Sequence, residues 1–140
     1  MTAAADDEIE DREPTRRLDK EECWQRIVAS PFGRIATTAA GEVDIYPVNF
    51  AVDGETIVFR TAPGSKLLEI MVHSRVAFEV DGYSDSEAWS VVVKGEAEEF
   101  SSEPEVEAAQ LLGIEPWAPE RKDRWVRIRV SEVHGRSFAR

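Results

Sequence analysis

One cysteine, two histidines and no long apolar run leave this chain of 140 residues short of the raw material for several classes of protein at once. Cys23 alone cannot close an intramolecular disulfide, which favours a reducing compartment and predicts a cytoplasmic protein. His73 and His134 stand at metal-ligand spacing neither with each other nor with Cys23, so no metal site is predicted. No stretch approaches the length of a signal-peptide core or a membrane span, and no membrane association is expected. Positive charge is also scarce: 17 Lys and Arg face 28 Asp and Glu, for a net charge of −11. That balance argues against nucleic acid or an anionic membrane as partner. The first twenty-two residues carry nine acids against four bases, and the rest of the chain is still acidic. Any anion it binds must therefore be held by a short-range, specific site.

The length suits a single domain with one hydrophobic core. Residues 1–17 are acidic, small and interrupted by proline, with Ile9 the only large apolar residue after Met1, and are read as a disordered tail. The folded domain is expected over residues 18–140. Asp19 and Glu22 form an Asp-initiated capping box, followed by Trp24, Ile27 and Val28 at helical spacing, and Pro31 with Gly33 stop that helix. From Arg34 the apolar period changes to two. GRIATTAA, VDIYPVNFAV and TIVFRT read as three strands separated by turns at Ala40-Gly41 and Asp53-Gly54. Leu67, Leu68, Ile70 and Met71 give a short amphipathic helix, and RVAFEVDGY and WSVVVKGEAEEF return to strands. Pro104 opens a third helix that Gly113 closes. In the last strand Val126, Ile128 and Val130 alternate with Trp125, Arg127 and Arg129, predicting one apolar and one polar face. The sum is a mainly β chain of six strands and three short helices without βαβ repetition, which favours a closed or partly closed antiparallel barrel.

The stretch with most chemistry is Phe59 to Lys66, FRTAPGSK, a strand end running through a turn into a helix start. Arg60, Thr61, Ser65 and Lys66 supply a guanidinium, two hydroxyls and an ammonium beside the free N–H groups of a helix N-terminus. Those are the donors a phosphate dianion asks for. Ala62, Pro63 and Gly64 make the turn that lets them converge. The octapeptide alone fits equally well a helix capped by Ser65 with Arg60 and Lys66 as solvated charges. Among the other candidates, Cys23 reads as a small buried residue, and Glu96, Glu98 and Glu99 as a solvated strand edge. Arg124, Arg127, Arg129 and Arg136 are open between lining a substrate mouth and neutralising acids across the dimer.

The ordered set ECWQRIVASPFGRIATT, YPVNFAVDG, FRTAPGSKL, VAFEVDG, WSVVVKGEAEE and RWVRIRVSEVHGR resembles the pyridoxamine 5′-phosphate oxidase-like flavoproteins, in particular their nitroimidazole-reductase-like branch. The resemblance covers nearly everything after Leu18. It implies a six-stranded split barrel that forms a homodimer and binds FMN in two symmetric grooves at the subunit interface. It also implies cofactor contacts from Pro47, Val48 and Asn49 to the flavin ring and from Arg60, Thr61, Ser65 and Lys66 to the phosphate. Trp89 and Ser90 would reach the cofactor held mainly by the other subunit. The activity implied is a flavin-dependent oxidoreductase acting on a small redox substrate such as a nitro or quinone-type acceptor. Use of the deazaflavin F420 in place of FMN, or flavin or haem binding without turnover, is the alternative.

Overall fold

The computed structural model describes residues 15–115 and 124–140. Residues 1–14 of the expected tail lie outside the described residues. Eight strands form one antiparallel sheet: β1 (Thr15–Leu18), β2 (Gly33–Ala39), β3 (Glu42–Val48), β4 (Phe50–Asp53), β5 (Thr56–Thr61), β6 (Arg75–Tyr83), β7 (Glu87–Glu99) and β8 (Arg124–Ala139). Three short helices accompany them, α1 (Lys20–Ala29), α2 (Ser65–Val72) and α3 (Glu103–Gln110). The described residues are mainly β with short helices, as the sequence predicts, but there are eight strands where it predicts six. Two local events account for the difference. Residues 15–17, expected as tail, join Leu18 in a strand that pairs with Phe138, Ser137, Arg136 and Gly135 at the end of β8, an edge that apolar periodicity cannot reveal in four residues, three of them polar. The run VDIYPVNFAV breaks at Asn49 into two strands that belong to different hairpins.

That break positions the candidate site. Strand order is β3-β2-β6-β7-β8-β5-β4, with β1 added on β8. The sheet is not closed by hydrogen bonds. Its two ends, β3 and β4, are consecutive in the chain and meet through Asn49, so the sheet rolls into an open barrel consistent with a split barrel. Alternation puts Ile35, Ile57, Phe59, Phe78, Val91 and Val93 on the inner face. The inner core is completed by Cys23 and Ile27 of α1 and by Leu67 and Ile70 of α2. Asp19 caps α1 by accepting from the Glu22 N–H at 2.9 Å. Cys23 is 1 % exposed, and burial raises its thiol pKa, so it packs as a small residue.

The last strand departs from the predicted two-faced pattern. Trp125, on the face expected to be polar, is 4 % exposed and joins Val58, Phe100, Ala109 and Ile114 in a second cluster. Three of the C-terminal arginines take neither expected role in the single chain and neutralise acids of their own sheet. Arg124 pairs with Glu99 at 2.6 Å, Arg127 with Asp53 at 3.0 Å and Arg129 with Glu98 at 2.9 Å, all within the sheet.

The long β7–β8 pairing shifts register between Lys94 and Gly95. A Cβ at Gly95 would lie 2.2 Å from the carbonyl oxygen of Arg129, a backbone atom that cannot swing away. Gly95→Ala is expected to cost about 3 kcal/mol and lower Tm by roughly 10 °C, read by thermal melting.

Candidate flavin-phosphate site

Chain order builds the site from two corners. β3 ends at Val48 and β4 starts at Phe50, which pairs with Phe59 of β5. One step beyond that pair stand Asn49 and Arg60, so the end of β3 and the end of β5 share one rim of the barrel. Val48 is 5 % exposed and belongs to the core, while Pro47 is exposed on the outer face opposite Arg34. Asn49 is half-buried and donates from Nδ2 to the Pro31 carbonyl at 3.4 Å.

Arg60 pairs in register with Trp125, and its guanidinium lies 4.8 Å from the centre of the indole ring. Among the described residues it has no carboxylate partner, although Arg26, Arg34, Arg75, Arg124, Arg127 and Arg129 all do. Its Nε is buried without a hydrogen-bond acceptor. An orphaned donor on a cation costs stability unless something satisfies it, so this arrangement fits an anionic ligand. Thr61, pointing the other way along the strand, is 3 % exposed, and its hydroxyl donates to the Ala62 carbonyl at 3.3 Å.

Helix α2 begins immediately after the turn. Its N-cap is Gly64, not Ser65, and no side chain caps it. The first N–H groups of α2 therefore lack the hydroxyl partner that the capped-turn reading needed, which leaves them for a ligand or water. Ser65 and Lys66 occupy the first two helical positions by backbone; their side chains lie outside the described residues.

The helix is held in place by a polar cluster that sequence reasoning missed. Glu69, 8 % exposed, accepts from the Thr37 hydroxyl of β2 and the Tyr46 hydroxyl of β3, each at 2.9 Å. Burial works against the Glu69 carboxylate, but hydrogen bonds from Thr37, Tyr46 and Asp44 outweigh it and lower its pKa. The hydrogen bond to Glu69 raises that of Asp44. Four residues after Ser65, Glu69 ties the start of α2 to the β2–β3 hairpin. Its spacing from Ser65 was visible in the sequence; its partners thirty-two and twenty-three residues away were not.

Trp89 and Ser90 are placed elsewhere. Trp89 faces inward, stacked under Arg26 at 5.0 Å and against Gly82, where a Cβ would come within 2.9 Å of the indole. Arg26 in turn binds Glu87 through two bonds of 2.9 Å, and Arg26 and the Ser137 hydroxyl together hold the Glu87 carboxyl down at about 2. Ser90 points to the outer face. The pair is registered with Ser137 and Arg136, whereas Arg60 is registered with Trp125. Along extended β8 these levels are separated by about 40 Å. The structure thus brings Pro47, Val48, Asn49, Arg60, Thr61 and the start of α2 together, and leaves Trp89 and Ser90 out of that group.

On the outer face, Glu79 and Asp81 of β6 flank Arg34, each 3.3 Å from its guanidinium. Burial and the hydrogen bond and charge of Asp81 push the Glu79 carboxyl up to about 7, against the pull of Arg34. A carboxyl whose folded pKa exceeds its unfolded one binds more protons when folded. It withdraws stability as pH climbs from the ordinary carboxyl range to about 7, and no more beyond. Glu79→Gln is therefore expected to gain stability relative to the parent at pH 8 and not at pH 4. Thermal melts at the two values check it.

The described residues form an open antiparallel barrel consistent with a split barrel, and the sequence comparison then names the family. The family model described as pyridoxamine 5′-phosphate oxidase matches residues 19–137, and the chain belongs to that family. A crystal structure of a Corynebacterium glutamicum protein named after pyridoxamine 5′-phosphate oxidase is 38 % identical, with a TM-score of 0.84 over 91 % of this chain and 100 % of that one. The structure of the FAD binding protein from Mycobacterium smegmatis is 34 % identical, with a TM-score of 0.76 over 89 % of this chain and 98 % of that one. The Mycobacterium tuberculosis protein Rv0080 is 32 % identical over 126 residues, 84 % of this chain and 82 % of that protein.

Proposed function

We propose that the chain is a flavin-binding oxidoreductase that grips the ribityl phosphate of its cofactor between Arg60 and the start of α2. The observation that carries this reading is Arg60 itself: stacked on Trp125, without a carboxylate partner among the described residues, its Nε buried and unsatisfied, beside a helix N-terminus that no side chain caps. The similarity to an FAD binding protein supports it. FMN and FAD share the ring and the ribityl phosphate, so one turn serves either. FMN is the preferred ligand because a terminal phosphate dianion matches a compact cationic cluster best. F420, with a longer acidic tail, asks for more cations at the groove than Arg60 and Lys66 supply.

When bound, the flavin supplies the redox chemistry. The protein's own part is to neutralise the phosphate with Arg60 and Lys66, to present the backbone of Pro47–Asn49 to the ring, and to fix α2 through Glu69. No side chain needs to act as a nucleophile.

The reading includes a homodimer. Ile45 and Val43 are 67 % and 66 % exposed, and Ile45 is registered with Ala36, itself registered with Ala77, so an apolar strip crosses the outer face beside Pro47. A second copy is the partner that makes a composite site possible, since Ser90 and the phosphate turn of one chain are too far apart along β8 to hold one flavin between them. Turnover is tested by adding a reduced nicotinamide or reduced deazaflavin to the yellow protein: an enzyme bleaches and recolours with a nitro or quinone acceptor, and a passive carrier does neither.

A further inference from the structure

Helix α1 buries Cys23 and Ile27 in the barrel, and its adjoining face, with Lys20, Trp24 and Val28 one turn apart, forms one wall of a groove. The opposite wall is the β4–β5 hairpin at Val52, Gly54 and Glu55, and the groove holds ≈ 640 Å³, room for a small molecule. Trp24 is half-buried and packs on the main core, yet its indole Nε1 is shut off from solvent without an acceptor among the described residues. A buried donor left unpaired costs stability, and an acceptor brought by a ligand recovers that cost. Lys20 and Glu55 form an ion pair of 3.1 Å between the two walls, and both are more than two-thirds exposed. With Trp24 they also line a smaller cleft of ≈ 250 Å³ that reaches Val130 and Val133 of β8, so the pair and the indole divide the two spaces. An exposed pair of this kind parts at little cost. The lining of the larger groove carries one base, Lys20, against Glu21 and Glu55, which disfavours an anion and suits a neutral ligand.

We propose that this groove binds a neutral, planar ring compound carrying a carbonyl-type acceptor. The ring lies against Val28 and Val52, and its oxygen accepts from Trp24 Nε1 as the Lys20–Glu55 pair parts. The groove flanks the Gly54–Glu55 turn that opens β5, whereas Arg60 stands at the other end of that strand, and the proposal does not rest on the flavin reading.

The test is a titration of the isotope-labelled full-length protein with chromone, a flat bicycle with one ring carbonyl, and separately with naphthalene, which lacks the acceptor. The indole N–H signals are the readout, and loss of one signal in Trp24→Phe identifies that of Trp24. A saturable shift of this signal with chromone is expected, at an affinity unchanged by FMN or by Arg60→Gln. Trp24→Phe lowers chromone affinity about two- to tenfold, the range of one neutral hydrogen bond, and leaves naphthalene affinity unchanged. Val28→Asp, at a position 65 % exposed where the fold loses little, weakens both probes roughly fivefold or more by placing a charge in the apolar wall. An unmoved Trp24 signal, displacement of chromone by FMN, equal loss for both probes in Trp24→Phe, or full affinity in a Val28→Asp variant of normal melting temperature would overturn the proposal. A Trp24 signal that shifts with protein concentration alone gives the groove to a second copy and overturns it as well.

Discussion

Arg60→Gln and Lys66→Ala are each expected to lower FMN affinity about ten- to a hundredfold. Charge-assisted bonds to phosphate contribute roughly 1.5–3 kcal/mol, and 1.4 kcal/mol is one decade. For Arg60 the choice of variant matters. Arg60 stands at the end of β5, but its side chain covers Trp125 and buries its Nε. Alanine there would open the second cluster as well as remove the charge, so Gln, which keeps part of the stem, isolates the electrostatic loss. Riboflavin, lacking the phosphate, should bind both variants and the parent alike. Fluorescence titration with the two ligands checks the pair of statements, and equal loss for riboflavin would show that the turn does not grip phosphate.

Ile45→Arg is expected to turn the proposed dimer into a monomer. Ile45 is the apolar centre of the outer β3–β2–β6 strip, and a charged guanidinium placed in a symmetric apolar interface is met twice, once from each copy. Because Ile45 is already 67 % exposed in the single chain, the substitution costs the fold itself little, so Tm of the isolated chain stays within a few degrees. Sedimentation at micromolar concentration reads the outcome. A parent protein that sediments as a monomer, or a variant that stays dimeric, places the contact elsewhere.

Much of this architecture is legible in the sequence because it follows from local rules. The Asp19 cap of α1, the period-two runs and the Pro104 helix start all have partners within a few residues, although the Glu22 carboxylate pairs with Arg16 and does not close a capping box. What escaped depends on pairing at long range. Thr15–Leu18 becomes a strand only because β8 continues to Ala139 and offers an edge. Asn49 divides two strands because its neighbours pair with β2 on one side and β5 on the other. Trp125 looks like part of a polar face until α3 and Ile114 cover it. At the site, the residue types of FRTAPGSK fit a phosphate grip and a turn capped by Ser65 equally well, and only the fold shows that Gly64 stands at the N-cap of α2 with no side-chain cap. Glu69 was invisible as a site residue because its meaning lies in Thr37 and Tyr46.

The most direct measurement is the absorbance spectrum of the protein as purified and after reconstitution with FMN, followed by chromatography of whatever heat releases. Bound flavin at one equivalent per chain, displaced in the Arg60→Gln variant, is the expected result. A colourless protein that takes up no flavin, or one that releases haem or a deazaflavin instead, would contradict it.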